Sequence, residues 1–236
     1  MWEPFMDLIN STPADVLSTL LEERRSCRSY RPEPVDRDVI RSIVADAGHA
    51  PSWCNTQPWN VIVTEGEETE RFRKGLSEHV GEKFEDNPDF AFPAAYEGEY
   101  LARRRECGFQ LYESVGIAKG DRDASRKQMF ENFSLFGAPH VAIVTTERNL
   151  GIYGAVDCGL FVQSFLLAAQ ARGIGAVPQA AMASQAPFIR DFFDIPQERM
   201  ILLGISFGYA DTSNPVNDFR TRRQTADEII SWAGEQ

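Results

Sequence analysis

Hydrophobic and polar positions alternate along this chain with changing period, and the changes mark out its elements. Thr12-Pro13-Ala14-Asp15 has the form of a helix start: a capping hydroxyl, a proline at the first helical position and an acid at the third. Val16, Leu17, Leu20 and Leu21 then recur at helical spacing and predict one apolar face. Asp36 is placed to cap a second helix, with Val39, Ile40, Ile43, Val44 and Ala47 directed to a core. Trp59 to Thr64 reads as a strand and Thr69 to Val80 as an amphipathic helix. Ser125 to Phe136 has helical period, and the apolar run Val141 to Thr145 predicts a buried strand. Gly154 to Arg172 is almost wholly apolar or small, which predicts a central core helix. Gly173 to Val177 and Met200 to Tyr209 are further strands, and Thr225 starts a last capped helix ending near Trp232. Strands separated by helices without a repeating unit predict an α+β fold, a mixed sheet wrapped by helices in one domain over residues 1–236.

Residues 81–126 break this pattern. They hold Asn87-Pro88, Phe92-Pro93, the run Arg103-Arg104-Arg105 and many aromatic residues, with one predicted helix from Tyr100 to Tyr112. So long a stretch between elements reads as an insertion. A lid over a site, an arm around a partner subunit and plain surface elaboration all fit it.

Composition narrows the classes. With 236 residues, 43% of them hydrophobic, and sixteen Phe, the chain can bury a sizeable core. A formal charge of −11 argues against nucleic acid and against a polybasic membrane anchor as partners. Cys27, Cys54, Cys107 and Cys158 have neither zinc-site spacing nor the density of a disulfide scaffold, and only three histidines occur. No metal site is expected. Without a signal pattern over Met1 to Pro13 or an unbroken apolar span, a reducing cytoplasm is the expected location.

Against the acidic background, arginines cluster twice: Arg24-Arg25-Ser26-Cys27-Arg28 near the start, and Arg220-Thr221-Arg222-Arg223 near the end. Forked, charge-assisted donors of this kind suit a phosphate. The plainer alternative pairs Arg24 and Arg28 with Glu22, Glu23 or Glu33. The loop Ala50-Pro51-Ser52-Trp53-Cys54-Asn55-Thr56-Gln57-Pro58-Trp59 lies between a helix and a strand. Its prolines stiffen it, and its neutral hydrogen-bonding groups suit a planar, heteroatom-rich ligand, or simply cap the loop. Gly173-Ile174-Gly175 is no dinucleotide fingerprint, since a third glycine and a following helix are missing.

Taken in order, R-R-S-x-R, P-S-x-x-N-x-Q-P-W, Val177-Pro178-Gln179-Ala180-Ala181 and the terminal arginines make the chain resemble the FMN-dependent nitroreductase family over nearly its whole length. The resemblance implies a nitroreductase-like, mainly antiparallel sheet surrounded by helices, in an intertwined homodimer whose two sites are each built from both subunits. It implies FMN as cofactor and NAD(P)H as electron donor, with a nitroaromatic, quinone or similar small aromatic electron acceptor reduced through flavin N5 in ping-pong order. By resemblance Arg24, Arg25 and Ser26 meet the phosphate, and Arg28 meets the pyrimidine edge, where a cation favours the reduced flavin. Pro51, Ser52, Asn55 and Gln57 would reach a flavin across the dimer interface. Backbone groups at Pro178, Gln179, Ala180 and Ala181 would face the edge carrying N5; some relatives have an acid and a glycine there, so only the backbone role carries over. Arg220, Arg222 and Arg223 complete the clamp, with at least one of them facing solvent only. Trp53 stands as a stacking wall for the acceptor or as a dimer anchor. No catalytic side chain is implied, because the flavin does the chemistry. Rival readings on the same fold are dehalogenation, flavin fragmentation, heterocycle dehydrogenation, or flavin binding without turnover.

Overall fold

The computed structural model describes residues 11–234. The start of the Met1–Pro13 stretch therefore lies outside the described residues. The Thr12 capping box forms as expected and opens α1 (Pro13–Glu23). Asp36 caps α2 (Arg37–Ala47) through the Asp38 amide at 2.7 Å, and Ile40, Ile43 and Ala47 are buried. β1 (Asn60–Val63) and α3 (Gly66–Glu82) follow, then α4 (Gly98–Ser114) and α5 (Arg122–Phe130). Next come β2 (His140–Glu147), α6 (Gly151–Gln170) and β3 (Gly175–Gln179). The short helices α7 (Ala180–Ala183) and α8 (Ala186–Phe192) lead to β4 (Arg199–Gly208) and the single turn α9 (Ala226–Ile229).

The four strands form one sheet in the order β1-β2-β4-β3, antiparallel throughout. Among the described residues the sheet becomes mixed only at an isolated parallel bridge between Ser26 and Ala176. Alternation along β2 serves two cores. Ala142 and Val144 pack with Ile43, Phe161 and Phe165 under α2 and α6. Val141 and Ile143 pack with Phe72, Leu76 and Ile189 under α3 and α8. Between Val144 and Thr145 the register slips, leaving Leu202 of β4 without a partner. That extra residue reverses which face β4 presents, so Ile201 joins the α3 side while Ile205 and Phe207 join the α6 side.

Five sequence expectations shift. The Ser125–Phe136 segment is not one helix: α5 starts at Arg122 and stops at Phe130, and Leu135 and Phe136 take left-handed backbone at φ 58° and 53°. The apolar face of α1 is not buried; Leu17 and Leu21 remain exposed. Nor is α6 buried all round, since Ile152, Tyr153, Val156 and Leu160 form an exposed stripe. By length and composition α6 could cross a membrane, yet half of its apolar window is buried in the protein. The last helix ends at Ile229 rather than near Trp232. The predicted 100–112 helix is longer than expected, as α4.

Candidate functional site

After α1 the chain leaves helical geometry at Arg24 and runs beside β3, where the Cys27 amide donates to the Ala176 carbonyl at 3.1 Å. This lays Arg24 to Arg28 along the sheet edge. Asn217, which is 1% exposed, joins that string to the C-terminal arginines. Its side-chain oxygen accepts from the Arg28 amide at 2.7 Å, and its amide group donates to the carbonyls of Ser29 and Asp211 at 2.9 Å each. A buried polar residue satisfied in this way fixes the two segments against each other. Sequence reading passed over this role, although the residue lies only three positions before Arg220.

The result is a cavity of about 900 Å³ lined by Arg24, Arg25, Ser26, Arg28, Arg220 and Arg223. Arg28 and Arg220, 192 positions apart in sequence (220 − 28), thus converge on one space. Among the described residues, none of these five arginines pairs with a carboxylate. Glu33, one alternative partner, reaches Arg31 instead, at 3.7 Å. Burial lowers the proton affinity of Arg24, with the Arg223 cation adding to it. Burial does the same to Arg28, and to Arg220 together with the nearby Arg25 cation. Glu22 and Glu23 also line the cavity, yet among the described residues neither forms an ion pair with these arginines; crowded, partly desolvated cations left without a paired carboxylate are costly by themselves and well suited to an anion. Arg28 lies over the Phe219 ring, 5.6 Å from its centroid. Arg222 does not join this cavity: it turns to Glu228 at 3.3 Å and lines a smaller neighbouring space.

Besides Phe219, residues that sequence reading did not assign to a site line the cavity. Gln163 comes from α6, Leu21 from α1 and Cys107 from α4 within the insertion. The insertion is therefore in contact with the site. Its root is pinned to the core: the Asp89 carboxylate accepts from Arg190 at 2.6 Å and from the Ile201 amide at 2.8 Å, and the Asn87 amide donates to the Ser184 carbonyl at 2.8 Å.

Pro178, Gln179, Ala180 and Ala181 form the end of β3 and the start of α7. The parallel register runs them in the same direction as the arginine string, two residues beyond the Ser26–Ala176 bridge. Gln179 is buried, and its side chain is consumed internally: its amide nitrogen donates to the Asn132 carbonyl at 2.8 Å while its oxygen accepts from Ser206. The backbone alone is left to face a ligand. Met182 seats against Gly204 of β4, where a side chain would collide with its sulfur, and this fixes the turn.

The 51–57 loop lies elsewhere. Pro51, Asn55 and Gln57 are exposed and line no part of the arginine cavity, so one chain does not bring them to it. The loop is nevertheless firmly built. Cys54, Asn55 and Gln57 take left-handed backbone, with φ 50°, 56° and 47°. The Ser52 hydroxyl accepts from the Gln57 amide at 3.0 Å. The Trp53 amide donates to both carboxylate oxygens of Asp157, at 3.2 and 3.1 Å, and Asp157 is only 5% exposed. Strain in three non-glycine residues persists only where the surroundings enforce it, and it is common where ligands bind. Trp53 itself is exposed, edge-on to Tyr153 at 4.3 Å.

A family model described as the nitroreductase family matches residues 21–209. The nitroreductase NfnB of Mycolicibacterium smegmatis is 35% identical over 93% of this chain and 94% of its own. A 4-nitrobenzoate reductase of Pseudomonas putida is 34% identical over 93% of this chain and 96% of its own. Among solved structures, the FMN-dependent nitroreductase NfnB from Mycobacterium smegmatis in complex with NADPH superposes with a TM-score of 0.87 at 34% identity, over 93% of this chain and 99% of that one.

Proposed function

This chain belongs to the nitroreductase family, and we propose that it is an FMN-dependent oxidoreductase that uses NAD(P)H to reduce nitroaromatic, quinone or similarly flat acceptors. The observation that carries this reading is the cavity of about 900 Å³ in which five arginines stand without carboxylate partners. Such a donor set fits the phosphate and the pyrimidine edge of FMN: Arg24, Arg25, Ser26, Arg220 and Arg223 would hold the phosphate, and Arg28 the pyrimidine. The backbone of Pro178–Ala181 would meet the flavin edge. When bound, FMN supplies hydride exchange at N5, accepting from NAD(P)H and giving to an acceptor that follows in the same space, a ping-pong order. The protein's residues bind, orient and bias this chemistry. The Arg28 cation favours the form of the cofactor with negative charge at the pyrimidine. The Gln179 side chain is tied to Asn132 and Ser206 and so is not free to meet the reacting groups; proton delivery from solvent fits this arrangement. The names of the relatives support a nitroaromatic acceptor.

A homodimer completes the site. The exposed α6 stripe of Ile152, Tyr153, Val156 and Leu160 adjoins Trp53 and continues to Gln163 at the cavity rim. Leu21 extends the apolar surface from α1 to the same rim. An apolar face of this extent seeks a partner, and a second copy seated there would bring its Pro51, Ser52, Asn55 and Gln57 to this cavity. The 81–126 segment, with Cys107 at the cavity, would shape the acceptor's space as a lid. All four cysteines are free, in keeping with a reducing cytoplasm.

The test is direct. The purified protein should be yellow and release FMN on heating; NADPH should bleach it without oxygen, and a nitroaromatic should restore the colour. A protein that takes up no FMN, or whose bound flavin NADPH leaves oxidised, contradicts the reading.

A further inference from the structure

A second cavity, of about 560 Å³, lies on the other side of the arginine string, between it and the end of α6. It is lined by Arg25, Arg31, Arg172, Gln170, Thr212 and the Gly173–Gly175 turn. Among the described residues no Asp or Glu lines it, in a chain with a formal charge of −11. The three cations are positioned by different means. Arg172 is fixed by Asp46 at 2.7 Å and by the Ala168 carbonyl at 3.0 Å. Arg31 lies over the Tyr209 ring at 5.1 Å and meets Glu33 only loosely, at 3.7 Å, with both side chains more than half exposed. Arg25 pairs with no carboxylate among the described residues. Gln170 provides an independent sign. It is 7% exposed, and its amide nitrogen is buried with no hydrogen-bond partner among the described residues. A buried donor left unpaired in a native protein calls for an explanation, and an absent acceptor is the simplest one.

We propose that this cavity is a second anion site, which takes the phosphate group of a small ligand and is separate from the cavity lined by Arg24, Arg28 and Arg220. Arg31 and Arg172 supply forked donors, Thr212 a hydroxyl, and the Gln170 amide turns to meet the phosphate. Two sources share this chemistry, inorganic phosphate and the phosphorylated end of a nucleotide; the volume admits both. The flavin reading is not a premise: a chain that never takes flavin would keep this site.

Isothermal titration of the FMN-saturated protein, with its first cavity filled, tests the proposal. The probes are inorganic phosphate and adenosine 2′,5′-bisphosphate in a buffer free of other multivalent anions. Saturable binding is expected. Arg31→Ala and Gln170→Leu should each raise the Kd roughly tenfold or more, as loss of a charge-assisted bond or its donor does. Arg220→Ala, brought back to FMN saturation so that the first cavity is again filled, should leave it unchanged. Arg25 is not substituted, because it lines both cavities. Tighter binding of the bisphosphate assigns the site to a nucleotide, and equal binding assigns it to phosphate itself. Absence of saturable binding at millimolar concentration overturns the proposal. So does binding that ignores Arg31→Ala and Gln170→Leu, or binding that Arg220→Ala abolishes. If the protein proves free of FMN, the same titration on the flavin-free chain still reads the Arg31 dependence, so failure of one reading is not mistaken for failure of the other.

Discussion

Replacing Arg28 by Met separates a residue that binds a ligand from one that holds the fold, because the two roles predict opposite signs. Among the described residues the guanidinium makes only a long bond to the Ser26 carbonyl, at 3.4 Å, and a contact with the Phe219 ring at 5.6 Å. Burial already lowers its proton affinity. Met keeps the apolar stem against Phe219, and the backbone amide still donates to Asn217. What is lost without ligand is a weak hydrogen bond and a ring contact worth about 0.5–1 kcal/mol each. What is gained is relief from holding an unpaired cation in a partly dry site. The flavin-free protein should therefore unfold in urea within about 1 kcal/mol of the parent. FMN binding should instead lose about 1.5–3 kcal/mol, roughly ten- to a hundredfold in Kd, when measured by quenching of flavin fluorescence. The cation matters most when the pyrimidine carries charge, so the two-electron potential should fall by about 30 mV for each further tenfold loss in the reduced form. A variant that loses several kcal/mol of stability while keeping FMN affinity and potential would refute this reasoning and make Arg28 a structural residue.

Three other outcomes follow. Replacing Asp157 by Ala strips the Trp53 amide of its acceptor; it should cost about 1–3 kcal/mol of stability and loosen the 51–57 loop, read as faster hydrogen exchange of that loop ahead of the sheet. His140 accepts from the Val35 amide at 2.9 Å and contacts the Thr64 carbonyl at 3.0 Å, and burial depresses its pKa. The folded chain thus binds this proton less readily than the unfolded one, so stability should fall as pH drops below about 6.5 and level off above it, a slope that His140→Gln should flatten in urea titrations across pH. Shortening the insertion between residues 91 and 121, which keeps the Asp89 anchor, should leave FMN content and bleaching by NADPH largely intact while the ranking of acceptors by kcat/KM changes; an unchanged ranking makes the segment decoration, and loss of dimer or flavin makes it an arm.

Periodicity located the strands and long helices well because their faces are decided by burial. It failed where local geometry wins: the left-handed residues Leu135 and Phe136 end a run whose apolar spacing still reads as helix. The short helices α7 and α8 escaped because neither is long enough to show a period. For the site, arginines standing out from an acidic chain were visible at once. That Asn217 buckles the two clusters, and that Gln163 and Cys107 complete the wall, depends on contacts between distant segments that no spacing encodes. The α6 stripe misled for a related reason. Core and interface positions carry the same residues, and only the unpartnered surface distinguishes them.

The central claim is that the converging arginines hold a phosphate, and a comparison of two ligands tests it most directly. Dissociation constants for FMN and for riboflavin, which lacks the phosphate, are measured on the parent and on the Arg24→Ala/Arg220→Ala double variant. Each arginine removes about 1.5–3 kcal/mol from phosphate binding, so FMN affinity should fall roughly a hundred- to ten-thousandfold while riboflavin affinity changes little. An equal loss for both ligands would contradict the account and show that these arginines support the fold of the site rather than the phosphate.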